Sequence, residues 1–269
     1  MIGIRVTTGS GFSLKKESRM SELKVLVFDI ETAPMTAYVW SLKEQYINVK
    51  QLKTDWYVIA VGAKWLNDPA SKVMYWDMRG KKAGDDKALL REVWKLLDEA
   101  DVVITQNGEK FDSPKLNARF MLNGMRPPAP YRHIDTYRLV RRVAAFTSNG
   151  LDYLTQKFCT KYKKLSHRAF PGLSLWTECI AGNKKAWAAM KEYNIHDVLS
   201  TEEFYLKIRA WAPETMATPF ISEKPGVLCK VCGEKGRMER RGFAVKNKFK
   251  YQRFQCQTCG HWMQGERVK

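Results

Sequence analysis

Residues 23–32 read LKVLVFDIET. Leu23 to Ile30 form a nearly continuous β-prone apolar run, the pattern of a buried central strand. That run ends in two acids, Asp29 and Glu31, which lie two residues apart and so point to the same face. Like charges that close repel, and a buried carboxylate is costly unless a cation compensates it. A divalent ion is the simplest compensation, because hard cations such as Mg²⁺ take carboxylate oxygens. A solvated strand end that caps the next element accounts for the same residues without a metal, and this stretch alone leaves both readings open.

Outward from it, Tyr57 to Trp65 (YVIAVGAKW) and Lys72 to Trp76 (KVMYW) read as further strands, an antiparallel continuation of the sheet. Asp85 to Ala100 repeats apolar residues at helical spacing, with acids in its first turn. Asp101 to Thr105 (DVVIT) is another short buried strand, running into the turn Gln106-Asn107-Gly108. A helix from about Ser113 to Leu122 comes next, stopped by Asn123-Gly124 and Pro127-Pro128. Arg132 to Ile134 is a short strand, and helices occupy much of 136–143, 151–159 and 184–211. Strands, then strand–helix alternation, then helices make an α/β domain with a mixed sheet.

Two more acids stand at telling places. Asp112 ends Asn107-Gly-Glu-Lys-Phe-Asp112, where a strand and turn enter a helix. Asp is a preferred N-cap and needs no other role there, but Pro114 favours the first helical position and makes Ser113 the cap instead. The place also lies beyond the carboxyl end of a strand, where open α/β sheets gather ligands. Asp197 follows Tyr193 by four residues, so both share one helix face a turn apart; a helix with one polar contact is the plainer reading.

Taken together and in this order, the three segments carry a resemblance. FDIET around Asp29 and Glu31, NGEKFD ending at Asp112, and YNIHD with Tyr193 and Asp197 resemble the three motifs of the DEDD superfamily of ribonuclease-H-like 3′→5′ exonucleases. The tyrosine four residues before the last Asp is similar to the tyrosine-type branch; the histidine-type branch has His one position earlier, where this chain has Glu192. The Asn-x-x-x-Phe-Asp form of the second motif is most similar to that of family B DNA polymerases, and HIDTYRL and GLDYLTQKF resemble stand-alone relatives of that domain. The resemblance covers Leu23 to Ala212.

It implies a ribonuclease-H-like mixed β-sheet flanked by helices, and an enzyme that uses two Mg²⁺ or Mn²⁺ ions to release nucleoside 5′-monophosphates from 3′ ends of single-stranded DNA. Asp29 would bridge both ions, Glu31 and Asp197 would complete one site and Asp112 the other. Tyr193 would orient the attacking water, since a phenol of ordinary pKa near 10 is a poor base. Thr32 and Asn107 would contact the 3′-terminal nucleotide, while Phe111 is read as core. The motifs do not separate DNA from RNA, so an RNA 3′-end exonuclease is the alternative, and an inactive zinc-ribbon nucleic-acid-binding protein a further one. No polymerase domain is expected within the chain, so proofreading would need a separate polymerase or replication protein.

Four cysteines complete the picture. Cys229-Lys-Val-Cys232-Gly and Cys256-Gln-Thr-Cys259-Gly are two near-identical knuckles that fit one structural Zn²⁺ in a closed Cys₄ site, with His261 a spare ligand. The spacer, Arg237 to Phe243 and Lys248 to Gln255, fits a β-hairpin. Arg240, Arg241, Lys246, Lys248, Lys250 and Arg253 are interleaved there with Phe243, Phe249, Tyr251 and Phe254. They suit either a nucleic-acid surface with stacking or a solvated shell around an aromatic interior. Cys159 and Cys179 read as buried, inert thiols.

Composition agrees with a polyanionic partner. The chain of 269 residues carries 46 Lys+Arg against 28 Asp+Glu, a formal net charge of +18. No apolar run approaches the ~20 residues a membrane span needs, and Met1 to Arg19 lacks the apolar centre of a secretory signal. The expectation is a cytoplasmic protein of a bacterial or virus-infected cell with no membrane partner. The domains read as a disordered basic tail over 1–22, an exonuclease domain over 23–212, a proline-containing linker over 213–226 and a zinc ribbon over 227–269.

Overall fold

The computed structural model describes residues 23–43, 46–165, 169–218, 226 and 228–268. The tail expected over 1–22 lies outside these residues, as do residues 219–225 of the expected linker. Strand β1 (Val25–Thr32) is the centre of the main sheet, as its apolar run demands. After a two-stranded excursion, β2 (Thr36–Ala37) and β3 (Leu52–Thr54), come β4 (Val58–Trp65) and β5 (Met74–Asp77). Helix α1 (Lys87–Glu99) leads to β6 (Val102–Thr105), α2 (Asp112–Leu122), β7 (Arg132–Asp135) and α3 (Thr136–Val143). Helices α4 (Leu151–Phe158), α5 (Ser174–Ile180) and α6 (Lys184–Ile208) complete this part.

The five strands are ordered β5-β4-β1-β6-β7. β1 pairs antiparallel with β4 and parallel with β6, so the sheet is mixed, with its antiparallel half where the sequence placed it. Alternation along β1 assigns its two faces. Leu26, Phe28 and Ile30 pack with Leu90 of α1 and Leu116 and Phe120 of α2. Val25 and Val27 face the other way, toward Val198 and Tyr205 of α6. Asp29 and Glu31 continue that second row, so they emerge on the side covered by α6.

Three local expectations are corrected. The acids expected in the first turn of α1 stand before it: Asp86 is the buried cap residue, and its carboxylate accepts hydrogen bonds from Arg119 Nε and Nη2 at 2.7 Å each and from the Val58 amide at 3.0 Å. This buried pair ties α2 to α1 and β4, and removing one partner would cost about 3–5 kcal/mol by stranding the other charge. At α2 the cap residue is Phe111, with Asp112 first and Pro114 third in the helix, rather than a Ser113 cap. Phe111 is 38% exposed rather than core, because the cap position turns its ring out of the helix–sheet interface. Helix α5, seven residues long, was not foreseen at all.

The C-terminal part is a three-stranded antiparallel sheet in the order β10-β9-β8, from β8 (Met238–Lys246), β9 (Phe249–Cys256) and β10 (Trp262–Arg267). The expected hairpin is β8–β9; β10 adds a strand the sequence did not announce. Cys229, Val231 and Cys256 share one apolar cluster with Leu139, Val140, Leu154, Phe204 and Ile208, so this sheet is seated on α3, α4 and α6. His261 Nδ1 lies 2.9 Å from the Ala210 carbonyl just past the end of α6. Cys159 and Cys179 are buried, as expected, and burial pushes each thiol up to about 12.

Candidate metal-binding active site

β1 delivers Asp29 and Glu31 to one end of the sheet, and α6 crosses that end with Tyr193, Asn194 and Asp197 on its inner side. Carboxylate oxygens of Asp29, Glu31 and Asp197 lie within 4.8 Å of one another. Asp112 stands just outside this group. Its Oδ1 accepts a hydrogen bond from the Ile30 amide at 3.0 Å, between the two β1 acids, and its charge acts on Asp29. All four sequence-predicted carboxylates are therefore neighbours, but three form the tight cluster.

The remaining side chains hold these acids in place. Asn194 Nδ2 donates to Asp29 Oδ2 at 2.7 Å. Gly62, paired with Asp29 across β1–β4, makes that reach possible, since a Cβ there would sit 2.5 Å from Asn194 Oδ1. Trp176 Nε1 donates to Glu31 Oε2 at 2.9 Å, and its ring meets the Tyr193 ring edge-on. Lys164 Nζ lies 2.5 Å from Asp197 Oδ2 and 4.7 Å from the centre of the Tyr193 ring. The segment carrying Lys164 is pinned from both sides: Thr155 Oγ1 accepts from its amide, and the Glu203 carboxylate accepts from the amides of Thr160, Lys161 and Tyr162.

Among the described residues four acids face one ammonium, that of Lys164, which leaves the site overcharged. Burial first, and then the neighbouring acids, hold Asp29 well above the usual carboxylate range, although Lys164 pulls it down. Burial raises Glu31 to about 8 against the opposing Trp176 hydrogen bond. Burial also lifts Asp112 to about 7 and raises Asp197, the latter against Lys164. Asp197 Oδ1 is buried and accepts no hydrogen bond among the described residues. Crowded oxygen donors, an orphaned lone pair and a deficit of positive charge together fit a divalent cation. Tyr193 is pushed above its ordinary range by burial and by Asp197, so its hydroxyl stays protonated and acts as a donor or orienting group.

Thr32, the other strand-end candidate, follows Glu31 at the last position of β1. Asn107 sits in the left-handed region at φ 62°, and its amide donates to Asp135 Oδ1 at 2.9 Å. Asp135 is fully buried, also accepts from the Glu109 amide, and caps α3, so it fixes the loop that leads to Asp112. Lys164, Trp176, Asn194 and Asp135 were missed by the sequence reading. Only Asn194 carried a usable signal, since it lies three residues before Asp197 and so shares its helix face.

The second cluster is the four cysteines. Their sulfurs lie within 4.8 Å of one another, with Cys229 Sγ–Cys259 Sγ at 3.6 Å and Cys232 Sγ–Cys256 Sγ at 3.7 Å. Four sulfurs bound tetrahedrally at the usual Zn–S length would be separated by about 3.8 Å, so the donor set fits zinc. His261 is not among the clustered donors; its Nδ1 faces the Ala210 carbonyl.

Comparison with known proteins agrees with the geometry. The RNase_H_2 family model, described as RNase_H superfamily, matches residues 26–209. No curated protein sequence matches the chain. Among solved structures, the family B DNA polymerase from the hyperthermophilic archaeon Pyrobaculum calidifontis superposes with a TM-score of 0.50 at 15% identity. The match covers 72% of this chain and 26% of the polymerase, and it is a likeness of fold.

Proposed function

The chain belongs to the RNase H superfamily, and from that premise we propose that it is a metal-dependent 3′→5′ exonuclease acting on single-stranded DNA. Membership supports a nuclease-type function; the finer reading rests on one observation. Oxygens of Asp29, Glu31 and Asp197 converge within 4.8 Å, with Tyr193 one helical turn before Asp197. Divalent ions held by these acids and Asp112 would supply Lewis acidity toward the scissile phosphate and toward an attacking water.

The chain's own residues do the rest. Asn194 and Trp176 fix the carboxylates of Asp29 and Glu31, so little reorganisation remains when substrate binds. The Tyr193 hydroxyl, protonated and linked to Lys164 and Asp197, orients a water by hydrogen bonding and does not deprotonate it. Lys164 adds the fixed positive charge that a phosphorane-like transition state requires. Exposed Phe111, at the mouth of α2 beside Asp112, offers a ring to the terminal base, with Lys115 5.3 Å from its centre. Thr32 and Asn107 flank the same end of the sheet and are assigned to the terminal sugar and phosphate.

The test uses 5′-end-labelled single-stranded DNA and RNA with Mg²⁺ or Mn²⁺, comparing wild type with Asp29→Ala. A ladder shortened from the 3′ end, absent in the variant, is the expected result, and the better substrate names the sugar. Absence of cleavage on both, with salt-sensitive binding retained, would leave a nucleic-acid-binding protein in place of the enzyme.

A further inference from the structure

The register of the C-terminal sheet sorts its aromatic and basic residues in a way their order along the chain does not. Directly opposed residues of an antiparallel pair share a face. Phe249, Tyr251 and Arg253 alternate along β9, so they lie on one face. Their partners join them there: Lys246 opposite Phe249, and Arg267 opposite Tyr251. Trp262, opposite Gln255, extends the same row. The opposite face carries Phe254, Met263 and Cys256. Its Cys256 end turns inward, since Cys256, Met263 and Gln252 are buried and a Cβ at Gly265 would meet the Phe254 ring at 2.5 Å, whereas Phe243 and Val245 of the same face, toward the β8–β9 turn, stay exposed. Cys256 and Met238 on that inward side join the cluster with α3, α4 and α6.

The outward face is thus neither apolar filler nor a purely solvated shell. Phe249 and Trp262 are 40% and 42% exposed, a poor use of large rings unless something covers them. Each carries a guanidinium: Arg267 Cζ is 3.5 Å from the Phe249 ring centre, and Arg253 Cζ 4.6 Å from that of Trp262. Rings that accept flat π-faces, alternating with cations that accept phosphate, match a single-stranded polynucleotide and no ordinary apolar partner. Glu239, opposite Gln255 and paired with Arg241, is the acid that the register places on this face.

We propose that the outward face of the C-terminal sheet, formed by Lys246, Phe249, Tyr251, Arg253, Trp262 and Arg267, is a second binding site for single-stranded nucleic acid, separate from the carboxylate cluster. Ile208, at the end of α6 beneath this sheet, lies about 17 Å along that helix from Asp197, by 1.5 Å per residue, and the sheet stands between it and the outward face. That face therefore holds the body of a long strand while the 3′ end occupies the carboxylates, and a strand of two or three nucleotides cannot use both. The binding half of this inference stands without catalysis; the tethering half rests on the exonuclease reading.

The experiment measures anisotropy of labelled dT₂₀ and U₂₀ with the zinc-loaded full chain in an Asp29→Ala background, which stops cleavage without a chelator. Adding Phe249→Ala plus Trp262→Ala should weaken binding about 10-fold or more, at one stacked base per ring. Arg253→Gln plus Arg267→Gln should flatten the dependence of affinity on salt by about two phosphate contacts. Whichever of dT₂₀ and U₂₀ binds more tightly names the sugar. With Asp29 intact, the aromatic variant should lose activity on 20-mers but keep it on trinucleotides. Unchanged affinity for both strands in variants that retain zinc and melting temperature would overturn the site and leave the face to a protein partner. Loss of binding with no cleavage by the intact chain would keep the site and sink the exonuclease.

Discussion

The carboxylate cluster and the cysteine cluster gather donors within the same 4.8 Å, yet they are opposite in construction. The cysteines come from two tight knuckles, with Cys229 and Cys256 buried in a core shared with α6. The carboxylates come from β1 and α6, elements 165 residues apart at the Asn194–Asp29 contact, and Asp29 and Glu31 remain partly exposed. Holding a zinc ion, the first arrangement would be closed and would add to stability; the second is overcharged and open on one side, and that subtracts from stability. A site kept at a cost in stability is the kind that serves chemistry.

The comparison can be broken most sharply by swapping losses. Asp197→Asn should lower nuclease activity about 10³-fold or more and leave the melting temperature of the metal-free protein unchanged or raised. Cys256→Ser should do the reverse in kind: zinc content falls to zero, and melting drops by roughly 5–15 °C as packing against α6 loosens. A large stability loss in Asp197→Asn, or a fully stable Cys256→Ser chain, would erase the distinction.

A milder test is pH. Glu31 titrates near 8 in the folded protein against 4.5 ordinarily, and Asp112 near 7 against 3.8. The unfolded chain therefore releases these protons first, so stability is greatest below about pH 4 in respect of these groups and declines as pH rises toward 8. Thermal melts of zinc-loaded protein should show this decline without added divalent ion, and saturating Mn²⁺ should flatten it, with protons released on binding. Smallest of the set, Trp176→Phe removes one hydrogen bond to Glu31 and should weaken Mn²⁺ binding about 10-fold, read by calorimetry, with the fold intact.

Legibility in the sequence followed from locality. An apolar strand ending in two acids, a strand–turn–helix ending in Asp112, and Tyr193 with Asp197 one turn apart each announce themselves within a few residues. Two CxxC knuckles do the same. Lys164 and Trp176 do not, because their importance exists only after folding: Trp176 meets Glu31 from 145 residues away, on a helix too short to leave a periodic signature. Phe111 was misplaced for a related reason, since a ring next to an acid at a helix entry has no pattern that tells inward from outward. The division of the basic and aromatic residues of β8–β10 between two faces, with Phe249, Tyr251 and Arg253 on one and Arg240, Phe243 and Phe254 on the other, needed the register, which the bulge between Arg240 and Phe243 shifts.

Helix α6 runs for 25 residues, with Tyr193 and Asp197 near its middle and Phe204 and Ile208 under the cysteine cluster. The consequence is practical, for anyone who would cut the protein into pieces. Ending the chain at Ala212 strips the cover from Phe204, Ile208, Leu139 and Val140, leaving a greasy scar that invites aggregation. Poor yield of such a fragment would then be misread as evidence about catalysis. A tag or reporter is better spliced into the exposed stretch from Arg79 to Asp85, where Gly80 and Gly84 have open space around them.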